Sequence, residues 1–157
     1  MRTAAVVGNP KPRSRTYEAA GLVLERLTGR PPDLALDLVD LGPGLLDRQD
    51  AAVGQAVSAI TAADLVVVAS PTYKATYTGL LKLFLDRFGA GSLAGVTTIP
   101  LMLGGDWRHS LAPEVFLKPV LAELGASCPM PGLYLLDTDY ETPTGLDHWV
   151  ESARRFL

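Results

Sequence analysis

The sequence predicts an α/β fold in which a parallel sheet of five strands is covered by helices on both faces. Short apolar runs of strand length alternate regularly with amphipathic helical patterns along the 157 residues. The inner runs are continuously apolar, as in strands buried on both faces, and parallel neighbours need helical crossovers between them. The length suits one ordinary domain, so we expect residues 1–157 to form a single domain without disulfides.

The first three elements begin a βαβαβαβαβα order. The first strand, Thr3–Gly8, is continuously apolar and ends at a glycine. The first helix, Thr16–Thr28, has apolar residues at helical spacing and stops before Gly29 and the Pro31-Pro32 pair. The second strand, Leu34–Leu41, alternates apolar residues with smaller or polar ones, which is typical of an outer strand.

The remaining elements continue this alternation. They are a helix over Ala51–Ala63, a strand over Leu65–Ala69, a helix over Thr78–Phe88, a strand over Thr97–Leu103, a helix over Ser110–Leu124, a strand over Leu133–Leu136 and a closing helix over Gly145–Leu157. Pro119 lies inside the fourth helix, where a proline removes a backbone hydrogen bond and bends the axis. We therefore expect a kink between Val115 and Pro119.

Charge and cysteine content narrow the class of protein. A net charge of −3 argues against a nucleic-acid partner, which would require basic residues gathered on one face. The apolar runs are shorter than the roughly 20 residues of a membrane helix, so no membrane partner is expected. The single cysteine cannot form an internal disulfide and no signal peptide is recognised, so we expect a cytoplasmic protein.

Two loops decide the predicted strand order. Five strands allow either a flavodoxin-like order, 2-1-3-4-5, or a truncated Rossmann order. In the flavodoxin-like order the crevice lies between strands 1 and 3, and the loops after Gly8 and Ala69 form its walls. These two loops carry the most unusual residues of the chain, which favours a flavodoxin-like three-layer sandwich with a ligand at the carboxyl edge of its sheet.

The loop after the first strand reads Gly8-Asn-Pro-Lys-Pro-Arg-Ser-Arg-Thr16 and leads into a helix. Backbone amides at a helix N-terminus bind phosphate, and hydroxyls and cations complete the site. The loop matches neither G-x-G-x-x-G nor a Walker A motif, so a monophosphate is predicted. In the alternative interpretation, Ser14 or Thr16 only caps the helix and the cations are solvated. The candidate side chains are those of Asn9, Lys11, Arg13, Ser14, Arg15 and Thr16.

Two later loops complete the predicted site. The segment Ser70-Pro-Thr-Tyr-Lys-Ala-Thr-Tyr-Thr-Gly79 places amides and flat side chains where a planar heterocycle could bind, although packing is an equal alternative for Tyr77. Gly104 and Gly105 can bring backbone amides close to a ring edge. His109 has no partner in a recognisable catalytic arrangement, so a capping or packing role is favoured for it.

With these loops assigned, the chain resembles the NADPH-dependent FMN reductases of the flavodoxin-like superfamily. It is most similar to the small flavin reductases of two-component monooxygenase systems, such as the alkanesulfonate type. The resemblance rests on Gly8-Asn-Pro-Lys with Ser14-Arg15-Thr16, on Ser70-Pro-Thr-Tyr-Lys-Ala-Thr-Tyr-Thr-Gly-Leu-Leu-Lys82, on Gly104-Gly105 with His109, and on Leu117-Lys-Pro-Val-Leu121. Two residues depart from the pattern: Asn9 replaces a common serine, and Val115 stands near the position of a tyrosine.

The resemblance implies FMN as cofactor and NADPH or NADH as reductant. It implies that the FMN phosphate is held by Asn9, Lys11, Ser14, Arg15 and Thr16. The isoalloxazine ring would be lined by Pro71, Thr72, Tyr73 and Lys74, and its pyrimidine side reached by Gly104, Gly105 and Asp106. Hydride would pass from nicotinamide C4 to flavin N5 without an acid–base side chain. From charge alone, Arg13 or Arg15 is a candidate for the extra phosphate of NADPH.

The resemblance also implies a homodimer or homotetramer, with a flavin-dependent monooxygenase as a candidate partner for reduced FMN. Four residues are candidates for subunit contacts: Tyr77, Phe84, Phe88 and Trp107. Three alternative functions stay open. They are an FMN-dependent reductase of quinones, azo compounds or chromate, a flavodoxin-like electron carrier, and a non-enzymatic structural module. Electron carriers of this fold tend to be strongly acidic, so the basic first loop disfavours that alternative.

Overall fold

The computed structural model describes residues 1–142 and 145–157, and its five strands are all parallel, in the order β2-β1-β3-β4-β5. The strands are β1 (Thr3–Val7), β2 (Leu34–Asp37), β3 (Leu65–Pro71), β4 (Thr97–Gly104) and β5 (Leu133–Leu136). The predicted 2-1-3-4-5 order is confirmed, and the truncated Rossmann order is excluded.

Helices cover both faces of the sheet. They are α1 (Arg15–Thr28), α2 (Ala51–Thr61), α3 (Gly79–Leu85), α4 (Lys118–Glu123) and α5 (Leu146–Ala153). One apolar cluster joins α1 and α5 to one face of the sheet. A second cluster joins α2, α3 and α4 to the other face, which gives the three layers of the sandwich. Within the described ranges, none of the helices has the length and apolar character needed to cross a bilayer.

The two central strands, β1 and β3, place the starts of the two loops that follow them side by side. All residues of β1 and β3 are buried, as expected of strands covered on both faces. Their parallel register runs from Thr3 beside Leu65 to Val7 beside Ala69. The chain therefore leaves both strands at the same sheet edge, at the point where the strand order reverses and where such folds bind ligands.

The second strand is shorter than predicted. The expectation of a strand over Leu34–Leu41 is wrong beyond Asp37, because β1, its only neighbour, ends at Val7 opposite Asp37. The chain continues as 3₁₀ turns over Leu38–Leu46, which Gly42 interrupts at a φ of 51°. Because Asp37 pairs with Val7 at the end of β1, it lies close to the loop that follows β1.

The fourth helix departs from regular α geometry where a kink was expected. A π-helical turn spans Pro113–Leu117, and α4 begins directly after it at Lys118. Pro119 thus lies in the first turn of α4, where a missing backbone N–H costs little. The irregularity predicted between Val115 and Pro119 is present as a widened turn.

Two aromatic residues expected at a subunit contact belong to the core instead. Phe84 is fully buried, Phe88 is nearly so, and their rings meet edge to face with centroids 5.3 Å apart. The expectation that they contribute to an interface is therefore wrong. Phe84 lies on the inner face of α3, where it packs among the side chains of the second apolar cluster.

Candidate functional site

A cavity of about 340 Å³ opens at the carboxyl edge of the sheet, between the loops that follow β1, β3 and β4. Ten of the predicted site residues line it: Asn9, Lys11, Ser14, Arg15, Thr16, Pro71, Thr72, Tyr73, Gly104 and Gly105. Leu103 and Asp137 complete the lining, whereas Lys74 and Asp106 lie outside it. Three segments far apart in the sequence therefore form one concave site.

The first loop begins at a glycine that packs directly against α3. The Gly8 amide donates a hydrogen bond of 2.8 Å to the carbonyl of Ala69. A Cβ at Gly8 would lie 2.4 Å from the Cβ of Leu81, so no larger residue fits without moving α3. The Thr78 hydroxyl, which caps α3, donates to the Gly8 carbonyl and ties the first and second loops together.

Buried side chains hold the rest of the first loop. The Asn9 amide nitrogen donates to the Thr16 hydroxyl at 3.0 Å, and the Asn9 side-chain oxygen accepts from the Lys11 amide at 2.9 Å. Ser14 caps α1 by accepting from the Tyr17 amide. Asn9, Ser14 and Thr16 are all buried, so the loop that faces the cavity has a fixed shape.

The three cations of the first loop have different surroundings. Lys11 and Arg15 line the cavity, and the Arg15 guanidinium lies 3.9 Å from the Asp137 carboxylate. Arg13 points elsewhere and pairs with Asp40 at 2.8 Å and Asp37 at 2.9 Å. Hydrogen bonds from Arg13 to these two carboxylates raise the pKa of Arg13. Because two carboxylates neutralise Arg13, this arrangement disfavours it as a ligand for an extra phosphate.

The second loop forms a tight turn over Tyr73–Thr76. The Tyr73 amide donates to the Thr76 carbonyl at 2.9 Å, and the Thr76 amide donates back at 3.2 Å. The two central residues, Lys74 and Ala75, have φ values of 52° and 71°. Such turns normally use asparagine or glycine at these positions, so this turn carries backbone strain. Lys74 sits at the tip of the turn, which explains why it does not line the cavity.

A buried hydroxyl beside this turn belongs to Thr72. The Thr72 amide donates to the Leu103 carbonyl at 2.7 Å, which fixes its backbone. The Thr72 hydroxyl oxygen is buried, and its interaction with the Tyr134 hydroxyl works against the rise in the pKa of Tyr134. The Thr72 side chain therefore helps to join the second loop to Tyr134 on β5.

The third loop is shaped by a tyrosine beneath it. A Cβ at Gly104 would lie 1.9 Å from the hydroxyl of Tyr134, which donates to the Asp106 carbonyl at 2.8 Å. Burial raises the pKa of Tyr134. The Asp106 carboxylate caps the short turn that follows, and the hydrogen bond from the Arg108 amide lowers the pKa of Asp106. Trp107 lies against Tyr134 and stays 55% exposed.

Two residues at this edge were missed from the sequence. Asp137 follows β5 directly and donates its amide to the Gly104 carbonyl, so its place after the fifth strand was the available signal. Asp37 was missed because its contact with Arg13 spans 24 residues of sequence. His109 is half-buried and outside the cavity lining. In the described part of the chain, acidic, histidine and cysteine side chains form no group that could hold a metal ion.

The cavity has two chemically different ends. One end has hydroxyls, an amide side chain and two cations beside the N-terminus of α1, a combination that binds phosphate. The other end has Pro71, Tyr73 and the Gly104-Gly105 backbone, and these suit a flat ring with polar edges. The arrangement can therefore hold a planar ligand that carries a phosphate.

Comparison with known sequences shows the family to which the chain is similar. A family model described as NADPH-dependent FMN reductase matches residues 1–141. The NADH-dependent FMN reductase SfnF of Pseudomonas putida is 33% identical over 142 residues, covering 85% of this chain and 76% of that protein. An FMN reductase (NADPH) of Escherichia coli K12 is also 33% identical over 142 residues, covering 88% of this chain and 74% of that protein.

Solved structures agree with these matches. The crystal structure of an NADH:FMN oxidoreductase, EmoB, in its apo form superposes with a TM-score of 0.89 and 31% identity. The match covers 99% of this chain and 89% of that one. An oxidoreductase from Corynebacterium diphtheriae superposes with a TM-score of 0.82 and 30% identity, covering 98% of this chain and 93% of that one.

Proposed function

The chain belongs to the NADPH-dependent FMN reductase family, and from this membership we propose that it binds FMN in the cavity described above and reduces it with NADPH or NADH. One observation carries the proposal: ten residues predicted to contact FMN meet in one cavity, whose volume of about 340 Å³ lies in the usual range of small-molecule sites. In this proposal residues 1–157 form one flavodoxin-like FMN-binding domain.

The phosphate end of the cavity consists of Asn9, Lys11, Ser14, Arg15 and Thr16. Their hydroxyls, the N-terminus of α1 and two cations match the needs of a dianionic phosphate. Within the described residues Lys11 forms no ion pair, so its charge is available to a ligand. We assign the FMN phosphate to this end.

The ring end of the cavity consists of Pro71, Thr72, Tyr73, Gly104 and Gly105. The backbone of the two glycines offers polar contacts to the edge of an isoalloxazine ring. Lys74 and Asp106 flank this end from outside the lining. Asp106 contributes by capping the turn after Gly105, which fixes the third loop.

The chemistry expected of the site needs no acid–base side chain. Bound FMN supplies the hydride acceptor, and the protein binds and orients the ring and limits the access of water to it. This division agrees with a half-buried His109 outside the cavity lining. Because NADPH and NADH are cytoplasmic reductants, the proposed reaction places the chain in the cytoplasm.

Steady-state kinetics test the proposal directly. The purified protein is mixed with free FMN and either NADPH or NADH, and oxidation of the reductant is followed by absorbance at 340 nm. We expect turnover that depends on FMN and saturates with it. Absence of FMN-dependent turnover with both reductants would overturn the proposed activity.

We extend the proposal to the fate of reduced FMN. Tyr73 and Trp107 are 50% and 55% exposed, so the ring end is open to a second molecule. Such a site suits release of reduced FMN to a flavin-dependent monooxygenase.

A comparison of electron acceptors tests the alternative functions. Turnover with free FMN is compared with turnover with a quinone, an azo dye and chromate. A marked preference for one of these acceptors over FMN would place the chain in the alternative class of reductases.

An exposed apolar surface supports the proposed homodimer or homotetramer. Trp107, Leu111, Val115 and Phe116 are 55%, 68%, 50% and 46% exposed along one short segment. Exposed apolar residues in such a cluster mark interaction surfaces. We expect Val115→Glu to shift the sedimentation profile toward a monomer, whereas Ala35→Glu on the exposed edge of β2 leaves it unchanged. A wild-type monomer at micromolar concentration would overturn this part of the proposal.

A further inference from the structure

We propose that Asp37 is a positioning residue for the phosphate end of the cavity, and that it acts through Arg13 without contacting the ligand. The inference rests on the proposed function, because it concerns the loop assigned to the FMN phosphate. It gives Arg13 the role of a structural support and removes it from the set of anion ligands.

Asp37 is a buried carboxylate with one partner side chain in the first loop. Its side chain is 0% exposed, and its Oδ2 accepts from the Arg13 backbone N–H at 2.8 Å and from the Arg13 guanidinium at 2.9 Å. Its Oδ1 is also buried and has no partner among the described residues. A buried charge is costly unless it is paired, so the Asp37 carboxylate depends on Arg13, whose own side chain is 58% exposed.

The backbone of Arg13 explains what this pair does. Arg13 has a φ of 48°, a left-handed conformation that residues with a side chain rarely adopt. The two hydrogen bonds to Asp37 hold Arg13 in this conformation. Ser14, which follows directly, can then take the extended conformation of a helix cap, and Arg15 starts α1 facing the cavity.

The surroundings of Arg13 separate this role from ligand binding. The Arg13 side chain does not line the cavity, and Asp37 and Asp40 neutralise its charge. Its guanidinium also stacks over the Tyr17 ring, 5.1 Å from the centroid. Arg13 thus forms a bridge from α1 to the end of β2, behind the wall that the phosphate would contact.

The test compares FMN with riboflavin, which lacks the phosphate, in fluorescence titrations of four proteins. They are the wild type, Asp37→Ala, Arg13→Gly/Asp37→Ala and the control Asp40→Ala. We expect Asp37→Ala to weaken FMN binding about tenfold, as for loss of a charge-assisted support, and to leave riboflavin binding unchanged. The double variant should recover to within about threefold of the wild type, because glycine adopts positive φ freely and needs no support from Asp37.

The control and the alternatives give distinct results. Asp40→Ala removes only the exposed partner of Arg13 and should change FMN affinity less than about twofold. A double variant that stays as weak as Asp37→Ala, or equal losses for FMN and riboflavin, would overturn the inference.

A measurement without ligand separates this inference from the proposed function. A wild type that binds no FMN contradicts the proposed function. Hydrogen exchange of the amides of residues 13–17 then still tests Asp37. We expect exchange about tenfold faster in Asp37→Ala and restored protection in the double variant. Unchanged exchange in Asp37→Ala contradicts the positioning role, whether or not FMN binds.

Discussion

The first loop, at the phosphate end of the cavity, is held by its own buried polar side chains, whereas the ring end has a half-exposed tyrosine that begins a turn with positive φ. Asn9, Ser14 and Thr16 are 8%, 3% and 2% exposed and are all hydrogen-bonded. Tyr73 at the ring end is 50% exposed and begins a strained turn. A preorganised end binds at a low entropic cost, and an open end admits a second reactant. In the proposed function, the first loop would therefore provide affinity and the later loops would allow exchange of the second reactant.

Each end also contains a glycine whose close neighbour leaves no room for a Cβ. The two neighbours differ in how easily they can move. Gly8 faces the Cβ of Leu81, which cannot move without α3, whereas Gly104 faces the hydroxyl tip of Tyr134. Added volume should therefore be tolerated less at the phosphate end. The following predictions test this contrast, in order of decreasing effect.

The largest effect is expected at Gly8. An alanine Cβ would lie 2.4 Å from the Cβ of Leu81, so we expect Gly8→Ala to lower the free energy of unfolding by about 3 kcal/mol. Urea denaturation measures the change. Gly21→Ala is the matched control: a Cβ there meets nothing within 4 Å, and alanine favours the α1 helix. A Gly8→Ala protein as stable as the wild type contradicts the close packing of the first loop on α3.

A smaller loss is expected at Gly104. An alanine Cβ at this position would lie 1.9 Å from the Tyr134 hydroxyl. We therefore expect Gly104→Ala to lower the free energy of unfolding by about 2 kcal/mol. Tyr134→Phe in the Gly104→Ala background removes the clashing oxygen and should recover part of this loss. The same denaturation series measures both. If Tyr134→Phe restores none of the stability lost in Gly104→Ala, the added Cβ does not clash with the Tyr134 hydroxyl. That result would contradict the contrast with Gly8.

The cations of the phosphate end should affect FMN binding without affecting riboflavin binding. We expect Lys11→Ala and Arg15→Ala each to weaken FMN binding about tenfold, the usual effect of one charge-assisted contact. Fluorescence titrations with FMN and riboflavin measure this. Lys82→Ala, which removes an exposed pair with Asp86 on α3, is the control and should change neither affinity. Equal losses for both flavins would show that the two cations do not select phosphate.

Relief of strain at the ring end should stabilise the protein. Ala75 has a φ of 71°, and glycine adopts this conformation without strain, so we expect Ala75→Gly to raise the free energy of unfolding by about 1 kcal/mol. Thermal denaturation tests the expectation. Ala52→Gly in the first turn of α2 is the control and should lower stability by about 1 kcal/mol. Equal losses of stability in Ala75→Gly and Ala52→Gly would contradict backbone strain in the Tyr73–Thr76 turn.

The smallest effect concerns alkaline pH at the ring end. Burial raises the pKa of Tyr134 above 10, its ordinary value. The unfolded chain then loses this proton at lower pH than the folded protein, so the stabilising contribution is complete below pH 10 and is lost as pH rises further. Urea denaturation between pH 9 and pH 11 should show a steeper loss in the wild type than in Tyr134→Phe. An equal loss of stability with pH in the two proteins would contradict a raised pKa of Tyr134.

Local patterns predicted most of the fold because each strand and helix has the periodicity of its own element. The end of β2 at Asp37 depends on where β1 ends, which no local pattern contains. The π-helical turn before Pro119 likewise reflects packing: Glu114 accepts hydrogen bonds from Lys118 and from the Gly132 amide before β5.

Most of the predicted site residues line one cavity, and their role in binding FMN stays a prediction. Residues of the first and second loops follow strands that end at one sheet edge, so topology alone brings them together. Lys74 and Asp106 lie outside the lining because a turn with positive φ and a capping contact direct them away. Asp37 and Asp137 contribute through contacts between distant segments, and sequence reasoning has no access to such contacts.

The ratio of FMN to riboflavin affinity in the wild-type protein tests the central claim most directly. The claim is that the phosphate end provides most of the flavin affinity, while the ring end stays open for exchange. With two cations and the α1 N-terminus on the phosphate, we predict that FMN binds at least about 100-fold more tightly than riboflavin. Equal affinities for FMN and riboflavin would contradict the claim.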